Sequence, residues 1–150
     1  MKDLSDILKA HHFFKDLRPE YIALVAGCGR NVVFHADEPL FHADEPANEF
    51  YIIRYGQVAI EMHDPRRGRL NVYTLNENDV LGWSWLFPPY RWHFDARAVK
   101  LTRAIALDAT CLRTKCDQDH SLGYEFMKRF TTIMVDRLAS TRLQVLNVYD

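Results

Sequence analysis

Residues 80–98, VLGWSWLFPPYRWHFDARA, combine the residue types best suited to hold a small ligand. Gly82 follows a short apolar run and opens a predicted turn that has room for one turn of helix. Pro88 and Pro89 then forbid the helix to continue, and a strand-like run returns after them. The first N–H groups of a helix have no partner within it and attract anions. The sequence therefore predicts a small anion pocket at Gly82.

The same residues are rich in aromatic side chains, and two interpretations of them stay open. The side chains form a stacking wall for a flat ligand or for a partner's side chains. Alternatively, they form core that fills the pocket themselves, since alternate residues of a strand face inward in any case. The aromatic residues are Trp83, Trp85, Phe87, Tyr90, Trp92 and Phe94.

Other patterns give little support for an enzyme. The chain contains no Gly-Lys-Ser/Thr phosphate loop, no Gly-x-Ser-x-Gly elbow and no His-Glu-x-x-His motif. Seven histidines raise a cupin-like metal site as an alternative, with His35, His42 and Glu45 or Glu49 as ligands. The cupin spacing, His-x-His followed closely by Glu, is absent, so we expect surface histidines, no metal and no enzyme activity.

Composition and charge restrict the partners. Of the 150 residues, 48% are hydrophobic and 26% are charged, as in globular proteins, and the net charge of −1 gives no general attraction for nucleic acid. The one basic run, RRGR at residues 66–69, fits the solvated tip of a hairpin. No apolar run approaches the ~20 residues of a membrane span. We expect a cytoplasmic protein that binds neither DNA nor membrane.

The number and spacing of the cysteines also favour a cytoplasmic protein. Cys28, Cys111 and Cys116 are odd in number and lack zinc-ribbon spacing, which favours reduced thiols in a cytoplasm. Cys111 and Cys116 are five residues apart in a predicted helix and are poorly placed to bond each other. We expect buried or idle thiols.

The surrounding elements are predicted from periodicity as parts of one domain, residues 1–150. Residues 1–27 predict two short helices, with Pro19 at a helix start and Gly27 at its end. Residues 28–108 predict short strands at 8–12-residue spacing, typical of a sandwich or jelly roll. Residues 109–150 predict helices, with Asp108 as a cap and a final helix of about 28 residues. Its apolar stripe contains Leu122, Phe126, Phe130, Ile133, Met134, Leu138, Val145, Leu146 and Tyr149.

A short repeat lies among the strands. FHADEP occurs at residues 34–39 and again at 41–46. The prolines exclude a coiled coil, so each copy predicts a strand end, a turn and the next strand. Asp37 and Asp44 are expected at the turns, because aspartate tolerates the left-handed conformation better than most residues.

These features together resemble the cyclic-nucleotide-binding domains of the Crp/Fnr type. Residues 8–26 are similar to the opening of that family, and residues 34–53 to its two Phe-x-x-Gly turns. Residues 56–58 match its Gly-x-Val, and residues 75–82 are similar to its Leu-x-x-Gly-Asp-x-x-Gly. The resemblance covers nearly the whole chain. It implies a mainly β fold with flanking helices, a double-stranded β-helix or jelly roll followed by a long C-terminal helix.

Residues 80–98 correspond in this resemblance to the phosphate-binding cassette, where the chain departs from the family. Trp83 stands where the family has a glutamate for the ribose 2′-hydroxyl, and Trp92 and His93 stand where it has an arginine and a serine or threonine for the cyclic phosphate. Arg91 replaces that arginine only if the register shifts by one residue, and Arg97 lies further along the strand. Losing both groups weakens nucleotide binding by roughly two orders of magnitude or more.

The resemblance implies a stand-alone regulatory domain in signal transduction, without the DNA-binding domain of its relatives and with no required cofactor. Its ligand is a cyclic nucleotide, another small anion or none. A homodimer through the C-terminal helix and an unknown partner protein are the other expected partners. A ligand-free dimeric interaction module and a cupin-like metal enzyme are the alternatives. The candidate ligand-binding residues are Gly82, Trp83, Ser84, Arg91, Trp92, His93 and Arg97.

Overall fold

The computed structural model describes residues 3–149, with side chains through residue 146. Its helices and strands, in chain order, are α1 (Leu4–Ala10), α2 (Pro19–Ala26), β1 (Gly29–Phe34), β2 (Pro39–Phe41), β3 (Glu49–Tyr55), β4 (Val58–Asp64), β5 (Gly68–Leu75), β6 (Val80–Leu81), β7 (Asp95–Ala98), β8 (Thr102–Asp108), α3 (Ala109–Gln118) and α4 (His120–Tyr149). Short 3₁₀ turns cover His12–Phe14 and Ser84–Leu86. The predicted order of helices, strands and helices is confirmed.

The strands form two four-stranded sheets. One has the order β1-β8-β3-β6 and the other β2-β7-β4-β5, and the pairs within both are antiparallel. Consecutive strands alternate between the sheets except for the hairpin of β4 and β5, and this arrangement is that of a jelly roll. The predicted fold class, mainly β with flanking helices and a long C-terminal helix, is confirmed. The chain divides into two compact units, one ending at Arg113 and the other beginning at Thr114.

The two copies of FHADEP form the same turn. Asp37 and Asp44 both have φ of 70°, in the left-handed region. In each copy the histidine N–H donates to the carboxylate of the glutamate three residues later, at 3.0 Å in the first copy and 2.7 Å in the second. The prediction for both aspartates is confirmed. Asn78 also lies in the left-handed region, with φ of 72°.

These turns hold one returning segment at its two ends. The first turn pairs with Ala98 through backbone hydrogen bonds of 2.7 and 2.9 Å. The second turn pairs with Trp92 through backbone hydrogen bonds of 2.8 and 3.0 Å. These hydrogen bonds hold the main chain of Trp92 in place without any contact from its side chain.

His11 joins the N-terminal helices to the strands. Only 7% of it is exposed, so the expectation of a surface histidine is wrong here. Its Nδ1 accepts a hydrogen bond from the N–H of Phe13 at 3.1 Å, which leaves Nε2 to donate to the carbonyl of Asn78 at 2.8 Å. Burial, and next the nearby His12, lower the pKa of His11.

The cysteines correct a second expectation. Cys28 and Cys111 form a disulfide, with their Cα atoms 6.1 Å apart and 83 residues between them in sequence. The pairing of Gly29 with Leu107 brings the start of β1 beside the end of β8, next to the first turn of α3. Cys116 remains a free buried thiol, and burial raises its pKa to about 11, which keeps it protonated and unreactive.

The unit that begins at Thr114 contains the end of α3 and all of α4. Asp119 precedes α4, and its carboxylate accepts hydrogen bonds from the N–H groups of Ser121 and Leu122 at 3.1 and 3.3 Å. The predicted apolar stripe divides in two. Leu122, Phe126 and Phe130 are buried, whereas Leu138, Val145 and Leu146 are exposed. The side chain of Tyr149 lies outside the described residues.

Among the described residues, none of the helices combines the length and apolar character needed to cross a bilayer.

We predict that His11 makes stability depend on pH. An unfolded histidine takes up a proton as the pH falls through about 6.5, but the folded protein resists protonation of His11. Its contribution to the free energy of unfolding is therefore complete above about pH 6.5 and is lost as the pH falls towards the lowered folded pKa. Unfolding in urea is measured at about pH 7.5 and about pH 5.5, on either side of the reference pKa. The free energy of unfolding should fall more between these two pH values in wild type than in His11→Gln.

The control is His12→Gln, because His12 is exposed and adjacent. This variant should keep most of the wild-type pH dependence. An equal pH dependence in wild type and His11→Gln would contradict the assignment.

Candidate functional site

The chain between β6 and β7 forms the predicted pocket region. Gly82 leaves β6 with φ of 101°, and the 3₁₀ turn Ser84–Leu86 follows it. The predicted short helical turn before the prolines is thus present. Five of the seven candidate residues line one cavity: Gly82, Trp83, Ser84, Trp92 and His93. Phe41, Ile60, Tyr73, Leu81 and Phe94 complete its lining.

Trp92 occupies the centre of this region. Its ring stacks on Phe41, with centroids 3.8 Å apart and planes 9° apart, and only 5% of the residue is exposed. A β-carbon built on Gly82 would lie 2.6 Å from Cη2 and Cζ3 of Trp92, well inside contact distance. The ring therefore takes space that only glycine leaves open at position 82.

The cavity that remains is about 20 Å³. A cavity of this size holds about one water molecule, whereas ligand pockets measure roughly 300–1,000 Å³. Trp85 is also fully buried and stacks on Phe50 with centroids 4.9 Å apart. Trp83, Phe87 and Phe94 are half-buried, and Tyr90 is exposed. The aromatic cluster thus fills the interior with two indole rings.

The two candidate arginines lie away from this cavity. Arg91 is exposed and donates from Nη1 to the carbonyl of Asp44 at 2.7 Å. Arg97 donates from Nε and Nη2 to the two carboxylate oxygens of Glu61, both at 3.1 Å, and from Nη1 to Asp37 at 2.9 Å. The hydrogen bonds to Glu61 raise the pKa of Arg97. Both guanidinium groups are engaged with the protein itself.

The histidines considered for a metal are not clustered with other ligands. Among the described residues, no group of three or more histidine, cysteine, aspartate or glutamate side chains is arranged to hold a metal ion. His42 instead lies 3.7 Å from the carboxylate of Asp95 through Nδ1.

The sequence matches the profile of one known family. The profile of the cyclic nucleotide-binding domain matches residues 31–119, more than half of the chain. The chain belongs to the cyclic nucleotide-binding domain family. No curated sequence matches it significantly.

Solved structures show the same fold. A proposed cyclic nucleotide-binding protein from Geobacter metallireducens GS-15 has 22% identity and a TM-score of 0.83, over 92% of this chain and 99% of that one. The sensor domain of the transcriptional regulator DNR from Pseudomonas aeruginosa has 20% identity and a TM-score of 0.72, over 90% and 91%. The Thermus thermophilus catabolite activator protein has 16% identity and a TM-score of 0.70, over 91% and 62%. The neighbours thus include regulators of the Crp/Fnr type.

One contact of this cyclic nucleotide-binding domain was not predicted from the sequence. Arg113 on α3 donates from Nη1 to the carbonyl of Trp85 at 2.7 Å, and its guanidinium lies 4.4 Å from the ring centroid of Tyr90. This cation–π contact and hydrogen bond join the cassette to the first part of α3. The spacing of residues does not predict this contact, because Tyr90 and Trp85 lie 23 and 28 residues before Arg113 in sequence.

We predict that Gly82→Ala is more destabilising than the positive φ alone explains. A residue with a β-carbon in the left-handed region costs roughly 1–2 kcal/mol, and overlap with a packed ring adds about 1–3 kcal/mol. Gly68→Ala is the matched control, because Gly68 has φ of 79° and nothing lies within 4 Å of its built β-carbon. The free energies of unfolding of both variants are measured in urea.

The excess cost of Gly82→Ala should shrink in a Trp92→Phe background, because phenylalanine is shorter than tryptophan. Equal costs for Gly82→Ala and Gly68→Ala in the wild-type background would show that the Trp92 ring does not occupy this place.

Proposed function

We propose that this domain is a regulatory member of its family in which Trp92 fills the place of a ligand. The domain then works without a cyclic nucleotide, as a dimeric module that binds a partner protein. The observation that carries the proposal is the Trp92 ring, packed between Phe41 and Gly82 with about 20 Å³ left beside it.

The charges around the cavity support the same proposal. Among the described residues that line it, none is lysine or arginine. A cyclic phosphate buried there would lose its water without gaining a cationic partner, and an unpaired buried charge is strongly unfavourable. Arg91 is the candidate arginine nearest to Trp92 in sequence, but its guanidinium already donates a hydrogen bond to the carbonyl of Asp44.

The glutamate that the family resemblance assigns to the ribose hydroxyl is also replaced. Trp83 stands at that position and is half-buried at the wall of the cavity. An indole has one N–H donor and no carboxylate to accept from a hydroxyl. Replacement of both polar contacts by aromatic rings favours internal packing over nucleotide recognition.

The proposed output is through α4. Tyr124, Met127, Leu138 and Val145 are exposed, and their spacing of three, eleven and seven residues follows one heptad stripe. Thr131, Met134 and Thr141 occupy the intervening positions of that stripe. A second copy of this chain covers such a stripe with its own, because a two-fold dimer interface is self-complementary. We propose a homodimer through α4 and no catalytic role.

We predict that calorimetry with cAMP or cGMP gives no binding heat for the wild-type domain at up to about 1 mM nucleotide. Arg91→Ala should behave identically, because Arg91 contacts no ligand in this proposal. A double variant with Trp83→Glu and Trp92→Arg restores the two groups that the family resemblance assigns, and it should give measurable heat. Circular dichroism establishes that each variant is folded.

Heat with the wild-type domain that disappears in Arg91→Ala would overturn the proposal. That result would favour a nucleotide sensor in which the ring of Trp92 moves aside.

We predict that Leu138→Glu abolishes the dimer. Leu138 is 52% exposed on the stripe, and a buried carboxylate opposite its own copy is unfavourable. Analytical ultracentrifugation should give twice the chain mass for wild type and a single chain mass for the variant. Ala139→Glu, one position off the stripe, should stay dimeric. A monomeric wild type, or equal loss in both variants, would contradict this interface.

A further inference from the structure

A second and larger concavity lies on the β1-β8-β3 sheet. It has a volume of about 470 Å³, within the range of small-molecule pockets. Its lining consists of Asn31, Val32, Val33, Arg54, Tyr55, Arg103 and Ala104. All of these residues belong to the unit that ends at Arg113. We call it the arginine groove.

The strand register places an arginine in the middle of this groove. β8 lies between β1 and β3, and Arg103 on β8 pairs with Val33 on one side and with Tyr55 on the other. Cross-strand neighbours on one face lie close enough to interact, and a cation gains most from an acid in such a position. Arg103 instead has a valine and a tyrosine, which are 48% and 50% exposed.

A β-bulge adds a second arginine. The β3-β8 register shifts between Ile53 and Tyr55, which leaves Arg54 as the extra residue. Both Arg54 and Tyr55 are exposed, whereas the four residues before them are buried. Bulges commonly redirect side chains at the edges of functional sites. The bulge here brings a guanidinium and a phenol to the same end of the sheet.

Neither arginine has a carboxylate partner. Within residues 3–146, Arg54 and Arg103 form no side-chain hydrogen bond or ion pair, unlike Arg30, Arg97 and Arg129. Asp79 lies beside this strand, because its carbonyl accepts from the N–H of Ile53 at 3.0 Å, but its carboxylate accepts from the N–H of Asn76 at 2.7 Å. The groove is thus locally cationic on a chain whose net charge is −1.

A third cation and an aromatic ring complete the chemistry. The ammonium of Lys100 lies 5.4 Å from the ring centroid of Tyr55, which holds it beside the groove. Guanidinium groups bind phosphate through paired hydrogen bonds, and an exposed aromatic face stacks on a flat ring. We infer that the arginine groove binds a small organic phosphate that carries a flat ring, separately from the filled cavity at Gly82.

The test is an NMR titration of the ¹⁵N-labelled full chain with adenosine 5′-monophosphate, pyrophosphate and adenosine. Saturable shifts are expected at the amides of residues 31–33, 54–55 and 103–104. The nucleotide should bind more tightly than pyrophosphate, and adenosine alone should give no saturable shift. Arg103→Gln and Arg54→Gln should each weaken nucleotide binding about tenfold or more, since each removes a charge-assisted contact.

The matched control is Arg66→Gln in the β4-β5 hairpin, an exposed arginine far along the chain from the groove. It removes the same charge and should change the affinity less than about twofold. The resonances of each variant away from the groove establish that it is folded.

Several outcomes would overturn the inference. They are the absence of saturable shifts at about 10 mM nucleotide, equal weakening by Arg66→Gln, and shifts confined to residues around Gly82. Tighter binding of hexaglutamate than of the nucleotide would also overturn it, in favour of an acidic protein partner.

Discussion

The contact between the Trp92 ring and Gly82 is the constraint on which the pocket region depends. Gly82, with φ of 101°, lets the chain leave β6 without a β-carbon, and two indole atoms lie 2.6 Å from where that atom would be. Phe41 covers the ring from the other direction. This packing leaves about 20 Å³ beside the ring, as expected where an interior is packed as densely as an organic crystal.

Backbone hydrogen bonds on both sides position the segment that carries the Trp92 ring. The second FHADEP turn pairs with the main chain of Trp92, and the first turn pairs with Ala98 six residues later. Between them Arg97 forms its paired hydrogen bonds to the buried Glu61 and a further bond to Asp37 in the first turn. Arg113 then attaches the preceding loop to α3 through the carbonyl of Trp85. The cassette is thereby held from the strands and from the helix together.

Residue patterns predicted much of this architecture. The turns with aspartate at positive φ, the β-branched strands and the long amphipathic helix were predicted. They depend on the conformational preferences of neighbouring residues, which can be read from the sequence. The burial of His11, the Cys28–Cys111 bond and the contacts of Arg113 depend on which distant residues meet in space. The direction of the Trp92 side chain was open for the same reason. Alternation along a strand indicates that some rings face inward, but it does not reveal how much space they leave.

The bond between Cys28 and Cys111 has a topological consequence. It closes a covalent ring that runs through all eight strands, because β1 begins at Gly29 and β8 ends at Asp108. A protease that nicks a hairpin tip between those cysteines releases no fragment, since both pieces stay linked through sulfur. In the oxidised protein, a single cut of this kind gives two separate fragments on a denaturing gel only after a thiol reagent reduces the disulfide.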